Sequence, residues 1–130
     1  MLTTQSPHLY LTDTIYKGRA VHTASVIHAK SIIEICPIII LSKDDTLKIH
    51  KTLLHDYYFL WEKEKGSSAI ALGYGSLYNH SVTPNAEFQL VYGDNEIHII
   101  ALEDIQAGDE ITINYLHEKD EKYALWFDPK

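Results

Sequence analysis

Residues 71–85 read Ala71-Leu72-Gly73-Tyr74-Gly75-Ser76-Leu77-Tyr78-Asn79-His80-Ser81-Val82-Thr83-Pro84-Asn85, and the rest of the chain is understood from this stretch. Two glycines, two asparagines and a proline make it loop-like, yet it is too apolar for an ordinary exposed loop. Such a segment is expected to be partly buried, its backbone polar groups satisfied by side chains or by a ligand. Periodicity leaves two readings open. In one, Asn79 and Asn85 cap the backbone of a structural turn. In the other, Asn79 and His80 offer side-chain and backbone groups to a polar cofactor.

Outward from this stretch the pattern is that of strands. Phe88, Leu90 and Tyr92 alternate with Glu87 and Gln89, and Ile97 and Ile99 resume the alternation after Gly93-Asp94-Asn95, which predicts a β-hairpin. Ala107-Gly108-Asp109 is a turn leading into Glu110 to Tyr115, where Ile111, Ile113 and Tyr115 share one face. Upstream, His8 to Asp13 and Arg19 to Thr23 read as short strands around a Lys17-Gly18 turn. Ile32 to Leu41 reads as a longer strand in which Pro37 implies an edge or a bulge. Ser42 to Asp45 resembles a helix start, with a short helix over Thr46 to Leu54, and the aromatic run Tyr57 to Trp61 is strand-like. With no internal repeat, low-complexity tract or linker, the expectation is one mostly β domain over residues 1–130.

Composition narrows the function classes. The chain has 130 residues, 45% of them hydrophobic, which suits one globular core. No apolar run approaches the ~20 residues of a membrane span, and Met1 to Tyr10 does not read as a signal peptide. Cys36 is the only cysteine, so an internal disulfide and a cysteine-based zinc site are excluded; among Ile35, Pro37 and Ile38 it reads as a packed, inert thiol. A net charge of −7 argues against direct nucleic-acid binding and favours a basic ligand such as a lysine-rich peptide. Eight histidines invite a metal reading, but His22/His28 and His50/His55 lack ligand spacing and no carboxylate completes a set. Glu103, Asp104, Asp109 and Glu110 read as turn and surface charge. The default compartment is a reducing one, the bacterial cytoplasm; delivery to a host nucleus or secretion would need signals that are not seen.

Asn79-His80-Ser81 with Pro84-Asn85, followed by Gly108-Asp109-Glu110-Ile111-Thr112-Ile113-Asn114-Tyr115, resembles the paired signature of the SET-domain protein-lysine methyltransferases. Lys17-Gly18-Arg19-Ala20-Val21 is similar to the glycine segment that precedes them in that family. The order and spacing match, the resemblance covers about residues 7–128, and it is closest to compact bacterial and viral-type members without flanking pre-SET or post-SET zinc modules. It implies a SET-domain β-clip fold of several short-stranded sheets, little helix and a C-terminal pseudoknot. It also implies S-adenosylmethionine as methyl donor, S-adenosylhomocysteine as product, and a lysine ε-amine of a basic, histone-like or other protein as acceptor. The alternative is a non-catalytic SET-like module that binds a basic peptide, prompted by Ala20, where the family usually has glycine, and by His22, where an aromatic is commoner. A homodimer is a further expectation, by exposed strands near Pro37 or to complete a substrate groove.

Residue by residue, the resemblance implies that Gly18, Arg19 and Ala20 line the methionine end of the cofactor. Tyr78, Asn79 and His80 fall on its ribose and adenine side. Trp126 and Phe127 close over cofactor or channel, Tyr57 and Tyr74 line the lysine channel, and Tyr115 is the catalytic tyrosine. Physical chemistry gives Tyr115 a task. A free lysine has pKa ~10.4 and is mostly protonated at neutral pH, whereas methyl transfer needs the neutral amine. A narrow apolar channel disfavours the ammonium form. Holding nitrogen, methyl carbon and sulfur in line near ~3–3.5 Å supplies roughly 7–11 kcal/mol, and a tyrosine hydroxyl can orient the amine.

Overall fold

The computed structural model describes residues 5–15 and 18–115. The hairpin read from alternation is present as β7, Ala86–Val91, and β8, Glu96–Ala101, paired antiparallel. The alternation has its physical cause in burial: Ile97, Ile99 and Ala101 of β8 are sealed in the core, and Phe88 of β7 packs its ring 4.9 Å from that of Phe59. The two strands form one side of a five-stranded antiparallel sheet ordered β4-β5-β3-β8-β7, where β3 is Ile32–Leu41, β4 is Phe59–Leu60 and β5 is Ser68–Ala71.

Strand β3 is central, which corrects the edge reading of Pro37. Its first half, to Pro37, pairs with β8, and its second half, from Ile38, pairs with β5. Pro37 sits at the hand-over between partners, where its missing N–H interrupts neither ladder, and its carbonyl accepts Leu72 N–H at 2.9 Å. The one irregularity in the β3–β8 register lies between Ile32 and Glu34, at Ile33. Four successive residues, Ile33 to Cys36, are buried, because both faces of the strand are covered here.

The predicted helix is shifted toward the N-terminus. Helix α1 spans Lys43–Ile49, capped by Ser42, whose hydroxyl accepts Asp45 N–H, with Asp44 and Asp45 in its positive first turn. It stops short of Leu54 because the Thr52 hydroxyl donates to the Ile49 carbonyl and accepts Leu54 N–H, starting a separate 3-10 turn over Leu53–Asp56. The aromatic run yields only a two-residue strand, although Tyr58, Phe59, Leu60 and Trp61 are all buried.

The first two predicted strands are present as an antiparallel pair, β1 (Leu9–Thr14) and β2 (Gly18–Thr23). The stretch 108–111 runs alongside β2: Gly108 N–H donates to Thr23 O at 2.7 Å and Ile111 N–H to Val21 O at 2.8 Å. Beyond it, β9 (Thr112–Ile113) pairs in parallel with β6 (Asn79–His80), matching Asn79 to Thr112 and His80 to Ile113. Glu110 to Tyr115, expected as one strand, is thus a two-residue strand with Ile111 and Ile113 fully buried. Among the described residues no helix is long and apolar enough to cross a membrane. The chain beyond Tyr115, where the resemblance implies a threaded pseudoknot, lies outside the described residues, as do Lys17, Trp126 and Phe127.

Candidate active site

The three sequence segments meet. Asn79 ties them together with its side-chain amide, donating to the Arg19 carbonyl and to the Glu110 carboxylate, both at 2.8 Å. Asn85 repeats the device one step away: its amide donates to Glu110 O at 2.8 Å and its carbonyl oxygen accepts Thr112 N–H at 2.9 Å. Both asparagines therefore do the backbone capping that one reading gave them. That leaves His80, beside them, with Nδ1 accepting Tyr115 N–H at 3.1 Å and the two rings 5.5 Å apart. An Nδ1 that accepts puts the proton of the neutral ring on Nε2.

Burial pulls His80 below its ordinary pKa of 6.5. A lowered folded-state value means that the unfolded chain takes up the proton first. The contribution of His80 to stability is therefore complete above about pH 6.5 and is lost as pH falls from there through the folded-state value. Protonation also removes the acceptor for Tyr115 N–H. Unfolding in urea at pH 7.5 and at pH 5.5 is expected to show a drop in stability for the wild-type chain that is smaller in His80→Gln. A residual slope is expected from His50, whose pKa is lowered by burial and by the adjacent His55.

Tyr115 is half-buried, and its hydroxyl donates to the Tyr78 carbonyl. Burial, then Tyr57 and Asp56 nearby, hold its phenol well above the usual range, so it stays a neutral hydroxyl. It closes one side of a narrow pocket lined also by Asp56, Tyr57, Tyr58, Phe59, Leu60, Ser76 and Phe88, with free space of about 20 Å³. Tyr57 is thus beside Tyr115, and Tyr74 is not among the lining residues. Tyr78 has no exposed surface, its phenol donates to Glu34 at 2.7 Å and its carbonyl accepts from Tyr115, so it acts behind the site and not on the cofactor side where the resemblance put it.

Gly18, exposed at the start of β2, has φ of +68° and, among the described residues, nothing within 4 Å of the place a Cβ would occupy. Glycine is required there by conformation, and the space beside it is open, as a backbone-held ligand needs. Ala20 is only 3% exposed, so its methyl is covered by protein and does not stand in a cleft. His22 is held by the Gly108 carbonyl at 3.1 Å and stacks on Tyr10.

Two carboxylates escaped the sequence reading. Glu110, read as surface charge, is the acceptor that fixes Asn79. Glu34 is 2% exposed and accepts from Gln5 Nε2, Tyr74 N–H and the Tyr78 hydroxyl, anchoring the whole 73–78 segment. A single acid inside Ile32-Ile33-Glu34-Ile35-Cys36 was the available signal, since a buried charge has to be partnered. Cys36 is buried, and its thiol is pushed up by that burial and by Glu34, as an inert cysteine requires.

These motifs and their junction define a class, the SET fold, whose family model, described as SET domain, matches residues 18–116. The chain belongs to the SET-domain family of protein-lysine methyltransferases. A Schizosaccharomyces pombe histone-lysine N-methyltransferase, named as specific for lysine 37 of H3, is 32% identical over 121 residues, 92% of this chain and 77% of that protein. The protein-lysine N-trimethyltransferase SMYD5 of Mus musculus is 49% identical over 41 residues, 32% of this chain and 10% of that protein. A crystal structure of a protein described as a candidate histone methyltransferase of Plasmodium falciparum superposes with a TM-score of 0.67 at 30% identity, covering 86% of this chain and 96% of that one. A chain of Chaetomium thermophilum Polycomb Repressive Complex 2 gives a TM-score of 0.70 at 16% identity over 95% of this chain and 16% of its own length, a likeness of fold.

Proposed function

We propose that this chain transfers a methyl group from S-adenosylmethionine to a lysine ε-amine of a basic protein, with Tyr115 as the catalytic residue. The observation that carries the reading is the parallel β6–β9 pairing, which sets Asn79 and His80 against the segment that ends in Tyr115 at the aromatic pocket. The open space at Gly18 fits the cofactor, which would be held by the backbone of Gly18, Arg19 and Ala20 and by Asn79 and His80. When bound, it supplies an electrophilic methyl on a sulfonium sulfur.

The residues of the chain account for the rest. Tyr57, Phe59 and Phe88 make an apolar wall that disfavours an ammonium and helps the amine shed its proton, while the Asp56 carboxylate on the same pocket attracts the incoming cation and pulls the other way. The Tyr115 hydroxyl donates its hydrogen bond to the Tyr78 carbonyl and so keeps an oxygen lone pair for an amine N–H. Because the phenol stays protonated, Tyr115 orients the nucleophile and does not act as a phenolate base. The −7 charge favours a basic tail, and the S. pombe relative makes a histone H3 tail the first substrate to try.

Calorimetric titration with S-adenosylmethionine and S-adenosylhomocysteine tests the reading. Saturable one-site binding is expected for both. Absence of binding to either one sinks it and favours the alternative of a basic-peptide module without catalysis.

A further inference from the structure

The side chain of Arg19 does something that the glycine segment does not explain. Successive residues of a strand point to opposite faces, so the Arg19 side chain leaves β2 on the face opposite Gly18 and Ala20. Its Nη2 donates to the Tyr57 hydroxyl at 3.2 Å, and its guanidinium carbon stands 5.8 Å from the centre of the Tyr57 ring. Tyr57 needs such a partner. It follows the Leu53–Asp56 turn and precedes β4, so no strand ladder fixes it, yet it forms a wall of the pocket that holds Tyr115.

We propose that Arg19 is a positioning residue of the lysine pocket: it clamps Tyr57 into the wall against which the substrate side chain lies, and its side chain does not serve the cofactor. The proposal rests on the methyltransferase reading above. Arg19 also touches the other half of the site through its backbone, because its carbonyl accepts the Asn79 amide at 2.8 Å. One residue thus spans from the N-H-S segment to the pocket wall, with main chain on one side and side chain on the other. Asp56 is the anionic group on the same pocket.

The test compares Arg19→Ala, Tyr57→Phe and the double variant on a histone H3 peptide containing lysine 37. Peptide KM and kcat are measured, and cofactor affinity is read separately by calorimetry without peptide. Each single variant is expected to raise peptide KM about 5- to 10-fold, the loss of one hydrogen bond to a charged group discounted for exposure. The double variant is expected to be no worse than either single, because both remove the same contact. Cofactor affinity is expected to be unchanged in all three, a split that general loosening of the fold would not give. Arg19→Lys keeps the charge without the planar fork and is expected to restore only part of the effect. Weakened cofactor binding with unchanged peptide KM overturns the proposal, as do single effects that multiply in the double variant. A wild-type chain that transfers no methyl to any lysine peptide overturns the underlying reading as well, and that is seen before any substitution is made.

Discussion

Replacing Tyr115 by phenylalanine is expected to slow methyl transfer by about 10²–10³-fold while leaving S-adenosylmethionine binding intact. The ring is retained, so its edge contact with Phe59 at 6.4 Å and its place beside His80 survive. What is lost is the hydroxyl that donates to the Tyr78 carbonyl, on a residue that lines the pocket. The Tyr78 carbonyl is left without that donor, at a cost of about 1 kcal/mol in stability, too little to unfold a domain. The rate loss would then fall on kcat more than on the cofactor's dissociation constant. Formation of S-adenosylhomocysteine in the presence of peptide measures the first, and calorimetry measures the second. Full residual activity in Tyr115→Phe removes Tyr115 from the catalytic role.

Gly73→Ala is expected to be strongly damaging for a change of a single methyl, lowering stability by about 3–5 kcal/mol. Two effects add. The residue has φ of +66°, where a Cβ is strained, and the new Cβ would lie 2.2 Å from Glu34 Oε2. That oxygen cannot move away cheaply, because it already accepts from Gln5 Nε2 and Tyr74 N–H. Gly18→Ala separates the two terms. It carries the same left-handed strain at φ of +68° with no described residue within 4 Å, so about 1 kcal/mol is expected from it. Urea unfolding of both variants gives the comparison, and equal losses would mean that Glu34 yields without cost.

The parts of the fold legible in the sequence were those where one physical constraint acts alone. The β7–β8 hairpin was plain because each strand has one core face, so Ile97 and Ile99 fall on a two-residue period. Strand β3 hid its position because both faces of its Ile33 to Cys36 stretch are covered, and Pro37 suggested an edge although it marks a change of partner. Helix α1 was shifted because Thr52 competes for the backbone in a way that no periodicity reveals. Of the site, the meeting of N-H-S with the tyrosine segment followed from a resemblance and not from spacing, since β6 and β9 have two residues each and no pattern of their own. Phe59, Phe88 and Ser76 of the pocket were invisible in advance, because they are ordinary core and turn residues until the sheet folds them around Tyr115.

The β6–β9 pairing also bears on the order in which the molecule is made. To bring Asn79 to Thr112 the chain must close a loop that contains the entire β7–β8 hairpin, for a ladder of only two residues. Loop closure grows costlier only slowly with length, about 0.6 kcal/mol per doubling, but so short a ladder returns little against it until the hairpin has docked. Contacts of this long range form late on a folding route. The junction proposed as catalytic therefore has no existence in a half-folded chain, and methyl transfer becomes a readout of completed folding.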